Sequence, residues 1–126
     1  MDLKFLSKKY YTEYTNEIYP QLELKPTRPY AHVKINAYGY DFYLPLRSNI
    51  AHPHAFFTDK KNKCGVDYSK AVIITDTSYV DNTKKVFLRD NEFKRLKGKD
   101  YKIKKGFEEY VALYKRAKNG EEIPHK

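Results

Sequence analysis

Side chains suited to phosphate chemistry are concentrated in residues 30–54 of this 126-residue chain. Lys34, Arg47 and Ser48 can stabilise negative charge, and His52 can carry a proton, because an ordinary histidine titrates at about pH 6.5. RNA contains its own nucleophile, the ribose 2′-hydroxyl, so its cleavage requires a base, an acid and cations around the phosphate. The sequence therefore predicts an RNA-cleaving site that uses no metal ion or other cofactor.

The candidate catalytic residues have distinct expected roles. An ordinary lysine is almost fully protonated at pH 7, so Lys34 is expected to stabilise charge or donate a proton, and Lys34→Ala to lose roughly 10²–10³ in rate. Arg47 would bind the scissile phosphate and Ser48 would orient it. Tyr30 would position the nucleotide, and His52 would transfer the proton. The candidate RNA-binding residues are His32, His54, Lys84, Lys85, Arg89, Lys94, Arg95, Lys97, Lys102 and Lys105.

A β-hairpin is predicted to position these residues. Apolar and polar residues alternate with the period of a β-strand on both sides of Tyr38-Gly39. A two-residue turn there pairs residues whose numbers sum to 77, and one face becomes core while the other is open to RNA. The predicted pairs are Tyr30–Arg47, His32–Pro45 and Lys34–Tyr43 on the open face, and Ala31–Leu46, Val33–Leu44 and Ile35–Phe42 on the core face.

The remaining segments predict one α+β domain over residues 1–126, with a mainly antiparallel sheet and helices covering one side. The last residues, 119–126, read as a loose tail. The expected elements are a short strand or helix approach at Leu3–Leu6, a helix N-capped by Ser7 that runs to about Tyr19, a buried strand at Ala71–Thr75, a short strand at Lys84–Leu88, a helix from Asp90 to Lys97 ended by Gly98, and a long helix from about Asp100 to Asn119. The apolar face of this last helix repeats every 3.6 residues, at Ile103, Phe107, Tyr110, Val111, Tyr114 and Ala117.

Charge indicates the kind of partner. The chain has 25 Lys and Arg against 16 Asp and Glu, and residues 84–105 contain 10 basic and 3 acidic groups. Such a cluster favours a polyanion, and nucleic acid fits better than a membrane because no apolar stripe accompanies it. Cys64 is the only cysteine and no apolar run is long enough for a membrane span, so we expect a reduced, cytoplasmic protein.

Two segments resemble a known family. RPYAHVKI, with Tyr30 and Lys34 four apart, and YLPLRS, ending in Ser48, are similar to the ToxN/AbiQ/CptN group of endoribonuclease toxins from bacterial type III toxin–antitoxin systems. The segment KKNKCGVDYSKAVII and the aromatic and basic C-terminal helices support the resemblance, which extends from Met1 to about Lys118.

The resemblance implies a compact, strongly bent antiparallel sheet or partial barrel, flanked by helices and related to the MazF/Kid toxins. It implies metal-independent, sequence-selective cleavage of cellular or phage RNA that leaves 2′,3′-cyclic phosphate and 5′-hydroxyl ends. The implied antitoxin is a small repeat-derived RNA, which the toxin cuts into pseudoknot units and which assembles with it into closed protein–RNA complexes.

By position, Tyr30 and Lys34 match strand residues of the family, and Ser48 matches the serine after the second strand. Arg47 stands where the family often has Thr or Lys. Ile50 replaces a lysine that is common two residues after the serine, and we expect His52 to supply the missing function.

Other interpretations remain open from the sequence. The polar side of the hairpin can be a solvated strand face, His52 and His54 can be ordinary loop residues, and the lysines of 84–105 can be a solvated helix face. A non-catalytic RNA-binding module is the main alternative function. A protein-interaction domain with an acidic partner is the third.

Overall fold

The computed structural model describes residues 2–13, 31–83, 85–86, 88 and 90–118. Strands dominate the first two thirds of these residues and helices the last third. Two single 3₁₀ turns, Tyr68–Lys70 and Thr77–Tyr79, interrupt the later strands. The strands and helices are β1 Leu3–Leu6, α1 Lys8–Glu13, β2 Ala31–Ala37, β3 Tyr40–Arg47, β4 Ala55–Asp59, β5 Cys64–Asp67, β6 Val72–Ile73, β7 Val80–Asp81, α2 Asp90–Leu96 and α3 Asp100–Lys118.

The β2–β3 hairpin is the centre of the fold, and its predicted register is confirmed. Tyr38 and Gly39 form the turn with φ values of 54° and 78°, which are typical of a type I′ turn. Lys34 pairs with Tyr43, and every pair along the two strands has numbers that sum to the same value. The turn therefore fixes which side chains share a face.

Seven strands of the described residues form one sheet in which every pairing is antiparallel. The order is β4-β5-β3-β2-β1-β7, and β6 also pairs with β3. Two strands pair with the edge of β3 that faces away from β2. Strand β6 pairs with the first half of β3, and β5 pairs with its last two residues. Among the described residues, the edge strands β4 and β7 do not pair with each other, so the sheet is open. This confirms the α+β class.

The main core lies between the sheet and the two C-terminal helices. Leu44 and Val66 from the sheet are 0% exposed, as is Ile103 of α3. Phe107, one turn further along α3, packs on Phe42 with ring centroids 4.8 Å apart. The 3.6-residue period of the last helix therefore predicted the burial of Ile103 and Phe107 correctly, whereas Tyr114 of the same predicted face is 51% exposed.

The opposite face of the sheet is also covered, which corrects the prediction of helices on one side. Tyr10 and Tyr11 of α1 are each 5% exposed and pack in a second apolar cluster with Tyr43 and Val80. Ser7 caps α1 as predicted, because its Oγ accepts the backbone N–H of Tyr10 at 3.4 Å, and the predicted end of this helix near Tyr19 lies outside the described residues. The supposedly open side of the hairpin is thus largely interior.

Two predicted strands differ from the structure. The β-branched segment Ala71–Thr75 predicts a well-buried strand, but β6 has two residues and Ile73 is 50% exposed. Of Lys84–Leu88, residues 85, 86 and 88 are described and have no regular secondary structure. The short helix α2 does end as predicted, since Gly98 has φ 73°, a left-handed value that suits glycine after a helix.

Within the described residues, no helix is both long enough and apolar enough to span a bilayer.

Candidate active site

Three predicted site residues, Tyr30, Lys84 and Arg89, lie outside the described residues. The others fall into two groups. Arg47, Ser48, His52 and His54 are at the end of β3 and in the loop that follows it. The second group consists of the hairpin residues Lys34 and His32, together with Lys85, Lys97 and the basic residues of the two C-terminal helices.

Arg47 is held by a buried carboxylate. Its Nη1 lies 2.7 Å from Oδ2 of Asp67, and the two side chains are 19% and 0% exposed. The pairing follows from the sheet, because Arg47 pairs with Gly65 and Asp67 is two residues further along β5 on the same face. A charge-assisted contact of this length fixes the direction of the guanidinium group.

Asp67 owes its position to a local capping motif. It is the N-cap of the 3₁₀ turn after β5, and its Oδ1 accepts both the backbone N–H of Ser69 at 2.9 Å and the Ser69 hydroxyl at 2.6 Å. The same Asp-x-Ser/Thr arrangement occurs at Asp76 and at Asp81. Only Asp67 of these three is fully buried and also paired with an arginine.

One ring nitrogen of His52 contacts this network, and the other contacts the backbone of the following loop. Its Nε2 lies 3.0 Å from Ser69 Oγ and 3.3 Å from Asp67 Oδ1. Its Nδ1 accepts the backbone N–H of His54 at 3.0 Å. Because Ser69 donates its hydroxyl proton to Asp67, these bonds assign the neutral ring its proton on Nε2.

The residues between Arg47 and His52 form a short, well-anchored connection. Ser48 is exposed beside Arg47, and Asn49 has φ 56°. Ile50 is 2% exposed and donates its N–H to the carbonyl of Lys63 at 3.0 Å. The backbone therefore turns inward directly after Ser48 and leaves its hydroxyl at the surface.

Two pockets lie on either side of the loop 52–54. One, of about 440 Å³, is lined by residues that include His52 and Pro53. The other, of about 390 Å³, is lined by Pro53, His54 and residues of α3 that include Lys102 and Tyr110. The His52 and His54 rings are 5.6 Å apart, and His54 is 5.4 Å from the Tyr110 ring. The network thus stands at the junction of two concave surfaces.

Burial keeps the neighbouring tyrosines protonated. Burial, and to a lesser degree the charge of Asp67, raises the pKa of Tyr110 above its usual value. Burial, with a smaller contribution from Glu109, raises the pKa of Tyr68 to about 12. Tyr68 donates its hydroxyl to the carbonyl of Ile103 at 3.0 Å, which ties the strand side of the site to α3.

Lys34 is at the other end of the hairpin. Its Nζ lies 3.9 Å from both Asp2 Oδ2 and Asp41 Oδ2, beside a 250 Å³ pocket. Lys34 pairs with Tyr43, and Ser48 is five residues beyond Tyr43, which corresponds to roughly 16 Å along an extended strand. The structure therefore does not bring Lys34 and Ser48 to one phosphate.

His32 is 5% exposed on the face covered by the second apolar cluster, which corrects its prediction as a surface RNA contact. Arg95 donates to the carbonyl of Thr58 at 2.6 Å and so ties α2 to β4. Lys102 lines a pocket of the candidate site. The remaining described lysines of this set, Lys85, Lys94, Lys97 and Lys105, are exposed.

Sequence reasoning missed Asp67 and Ser69. Their signal is an Asp-x-Ser motif directly after a strand, which predicts a capping carboxylate. What the motif does not reveal is the partner, because Arg47 is 20 positions away in the chain. Among the described residues, no group of three or more His, Cys, Asp or Glu side chains is arranged to hold a metal ion.

No protein-family model matches this chain, and neither the curated proteins nor the solved structures contain a significant match to it.

Proposed function

We propose that the chain is a metal-independent, sequence-selective endoribonuclease toxin of a type III toxin–antitoxin system. The observation that carries the proposal is the network of Arg47, Asp67, Ser69 and His52 beside the exposed Ser48. It combines an oriented cation with a histidine that a buried carboxylate holds at one ring nitrogen, and these are groups that serve proton transfer at a phosphate once the other nitrogen is released.

In the proposed reaction, the 2′-oxygen attacks phosphorus while the bond to the 5′-oxygen breaks. His52 accepts the 2′-hydroxyl proton at Nδ1, and Asp67 and Ser69 hold the opposite nitrogen of the charged ring. His54, whose ring is 5.6 Å from that of His52, protonates the departing 5′-oxygen. The products are a 2′,3′-cyclic phosphate and a 5′-hydroxyl.

Arg47 stabilises the charge that develops on the phosphate oxygens. Its contact with Asp67 sets the direction of the guanidinium before RNA binds, so little reorganisation is needed during the reaction. The Ser48 hydroxyl donates to a phosphate oxygen next to it. Lys34, roughly 16 Å away along the strand, binds the phosphate of a more distant nucleotide.

The antitoxin in this proposal is a repeat-derived pseudoknot RNA, which the enzyme processes and which then occupies the same surface in a closed protein–RNA assembly. The segments RPYAHVKI and YLPLRS support this part, together with the exposed lysines of α2 and α3. We also propose that the sheet is strongly bent into a partial barrel, as the resemblance to the toxin group implies.

Purified protein and a mixed-sequence RNA test the activity in buffer containing EDTA. We expect internal cuts whose upstream fragments end in 2′,3′-cyclic phosphate, and none in RNA with 2′-deoxy nucleotides at the cut positions. Cleavage that stops with EDTA and returns with magnesium would contradict the proposal.

A non-catalytic RNA-binding module is the second candidate, and one observation favours it. Both ring nitrogens of His52 are engaged, Nδ1 by the His54 amide and Nε2 by Ser69 and Asp67, which suits a purely structural role. Catalysis requires the 52–54 loop to release Nδ1. RNA binding without any cleavage, in cells that tolerate the wild-type chain, would select this alternative.

A further inference from the structure

The larger of the two pockets beside the loop 52–54 has the composition of a nucleotide subsite. It has a volume of about 440 Å³, within the range of small-molecule sites. Its exposed lining is mostly apolar, with a histidine and two lysines as the charged or titratable groups. The lining residues are Ile50, Ala51, His52, Pro53, Phe57, Lys60 and Lys63.

Phe57 gives the pocket a flat aromatic wall. Successive side chains of β4 point to opposite faces of the sheet, so Phe56 packs on the main core and Phe57 points into the pocket. Phe57 is half-buried, which leaves part of its ring accessible. A nucleobase stacks on such a ring whatever its identity, because every base has an aromatic face.

The lysines come from the tight turn that joins β4 to β5. Asp59 fixes this turn by accepting the side-chain amide of Asn62 at 2.7 Å and its backbone N–H at 3.2 Å. Within the part of the chain that the structure describes, neither Lys60 nor Lys63 forms an ion pair with a carboxylate. Their charge is therefore available to an anion, in contrast to that of Lys34.

The pocket is continuous with the candidate active site. His52 lines the pocket and also contacts Asp67 and Ser69. The hydrogen bond from Ile50 to the Lys63 carbonyl fastens the pocket floor to the lysine turn. A nucleotide bound here would have its sugar next to His52.

We propose that this pocket binds the nucleotide adjacent to the scissile phosphate, with the base against Phe57 and the outer phosphate on Lys60 and Lys63. The proposal rests on the proposed endoribonuclease function and adds a residue that holds the base beside the cut by stacking. The occupant is an RNA nucleotide, because the pocket joins a stacking surface to two unpaired cations at one site.

Binding is tested with the full chain and mononucleotides, monitored by amide chemical shifts. We expect nucleoside 5′-monophosphates to bind about tenfold more tightly than ribose 5-phosphate, because a stacked base adds that much affinity. Phe57→Leu keeps an apolar side chain and should reduce nucleotide affinity to that of ribose 5-phosphate. Phe93→Leu is the matched control, since Phe93 is 48% exposed on α2 and lines none of these pockets.

The charged half of the subsite is tested with Lys60→Ala and Lys63→Ala. Each should weaken nucleotide and ribose 5-phosphate by the same factor and reduce the salt dependence of single-stranded RNA binding by about 0.7 in log–log slope. Nucleotides that bind no better than ribose 5-phosphate, or equally well to Phe57→Leu and wild type, would overturn the proposal.

Cleavage separates a failure of the subsite from a failure of the function. With activity present, Phe57→Leu should raise KM about tenfold, more than it lowers kcat, and by a similar factor whichever base lies beside the cut. An unchanged KM would remove the subsite and leave the nuclease. Phe57-dependent nucleotide binding in a chain that cuts no RNA would retain the pocket and remove the nuclease.

Discussion

Two cations of the β2–β3 hairpin, Lys34 in β2 and Arg47 at the end of β3, are in opposite electrostatic settings. Near the hairpin turn, Lys34 is 3.9 Å from two carboxylates, Asp2 and Asp41, which are 49% and 40% exposed. At the far end, Arg47 is 2.7 Å from Asp67, which is completely buried. Both cations are on the same face of the hairpin, so the difference comes from what packs against each end.

The pairing of β3 explains this difference. Its hairpin half is bordered by the two-residue strand β6, and its last two residues by β5, which brings the buried Asp67. Exposed ion pairs are screened by water and contribute little, whereas a buried carboxylate with several donors fixes its partner rigidly. Rigid orientation of a cation favours catalysis on a phosphate, so the proposed reaction centre is at the far end.

The largest expected difference between the two ends is in stability. Asp67→Ala leaves the mostly buried Arg47 without this partner and should lower the free energy of unfolding by about 3–5 kcal/mol. Asp41→Ala, which removes one exposed partner of Lys34, should cost less than about 1 kcal/mol. Urea unfolding measures both. Equal losses would show that burial does not distinguish the two ends.

Substitutions at two glycines, one beside Arg47 and one in the hairpin turn, compare the stability of the same two regions. A Cβ on Gly65, which pairs with Arg47, would lie 2.1 Å from the Phe56 carbonyl oxygen, so Gly65→Ala should cost about 3 kcal/mol. Gly39 has open space around it but φ 78°, so Gly39→Ala should cost about 1–2 kcal/mol from backbone conformation alone. Thermal unfolding orders the two variants, and a larger loss at Gly39 would contradict the close packing of β4 on β5.

The smallest expected effect is at Tyr68. Tyr68→Phe removes the hydrogen bond to the Ile103 carbonyl and should cost about 1 kcal/mol at pH 7, while Tyr40→Phe on the 51%-exposed hairpin tyrosine should cost almost nothing.

The effect of Tyr68→Phe should depend on pH in a defined direction. The folded-state pKa of Tyr68 is raised from 10.0 to about 12 by burial, so its contribution is complete below pH 10 and is lost as the pH rises through 12. The stability difference between wild type and Tyr68→Phe should therefore narrow over this interval. Denaturant midpoints measured at pH 8 to 11 check the direction, and a widening gap would contradict it.

The hairpin was predictable because its information is local. Alternation along residues 31–47 and the Tyr38-Gly39 turn together fix register to the residue, and the structure has that register. The helical face of α3 and the end of α2 at Gly98 are likewise set by neighbouring residues.

The surroundings of the hairpin were not predictable in the same way. His32 and Tyr43 alternate like a solvated face, yet Tyr10 and Tyr11 from α1 close over that side of the sheet. The Arg47–Asp67 contact likewise depends on the β3–β5 pairing. Both are tertiary contacts between distant segments, which a periodic pattern in one segment does not encode.

We propose that RNA is cut at the Arg47 end of β3. The most direct test compares cleavage in EDTA by Arg47→Ala and Lys34→Ala, with rates normalised to folded protein and Arg47→Lys as the charge-retaining control. We expect Arg47→Ala to lower kcat by about 10²–10³, and Arg47→Lys to have a kcat between those of Arg47→Ala and wild type. Lys34→Ala should change KM more than kcat, and both changes should be less than about tenfold. A loss of roughly 10² or more in kcat at Lys34 with near wild-type turnover in Arg47→Ala would contradict the claim.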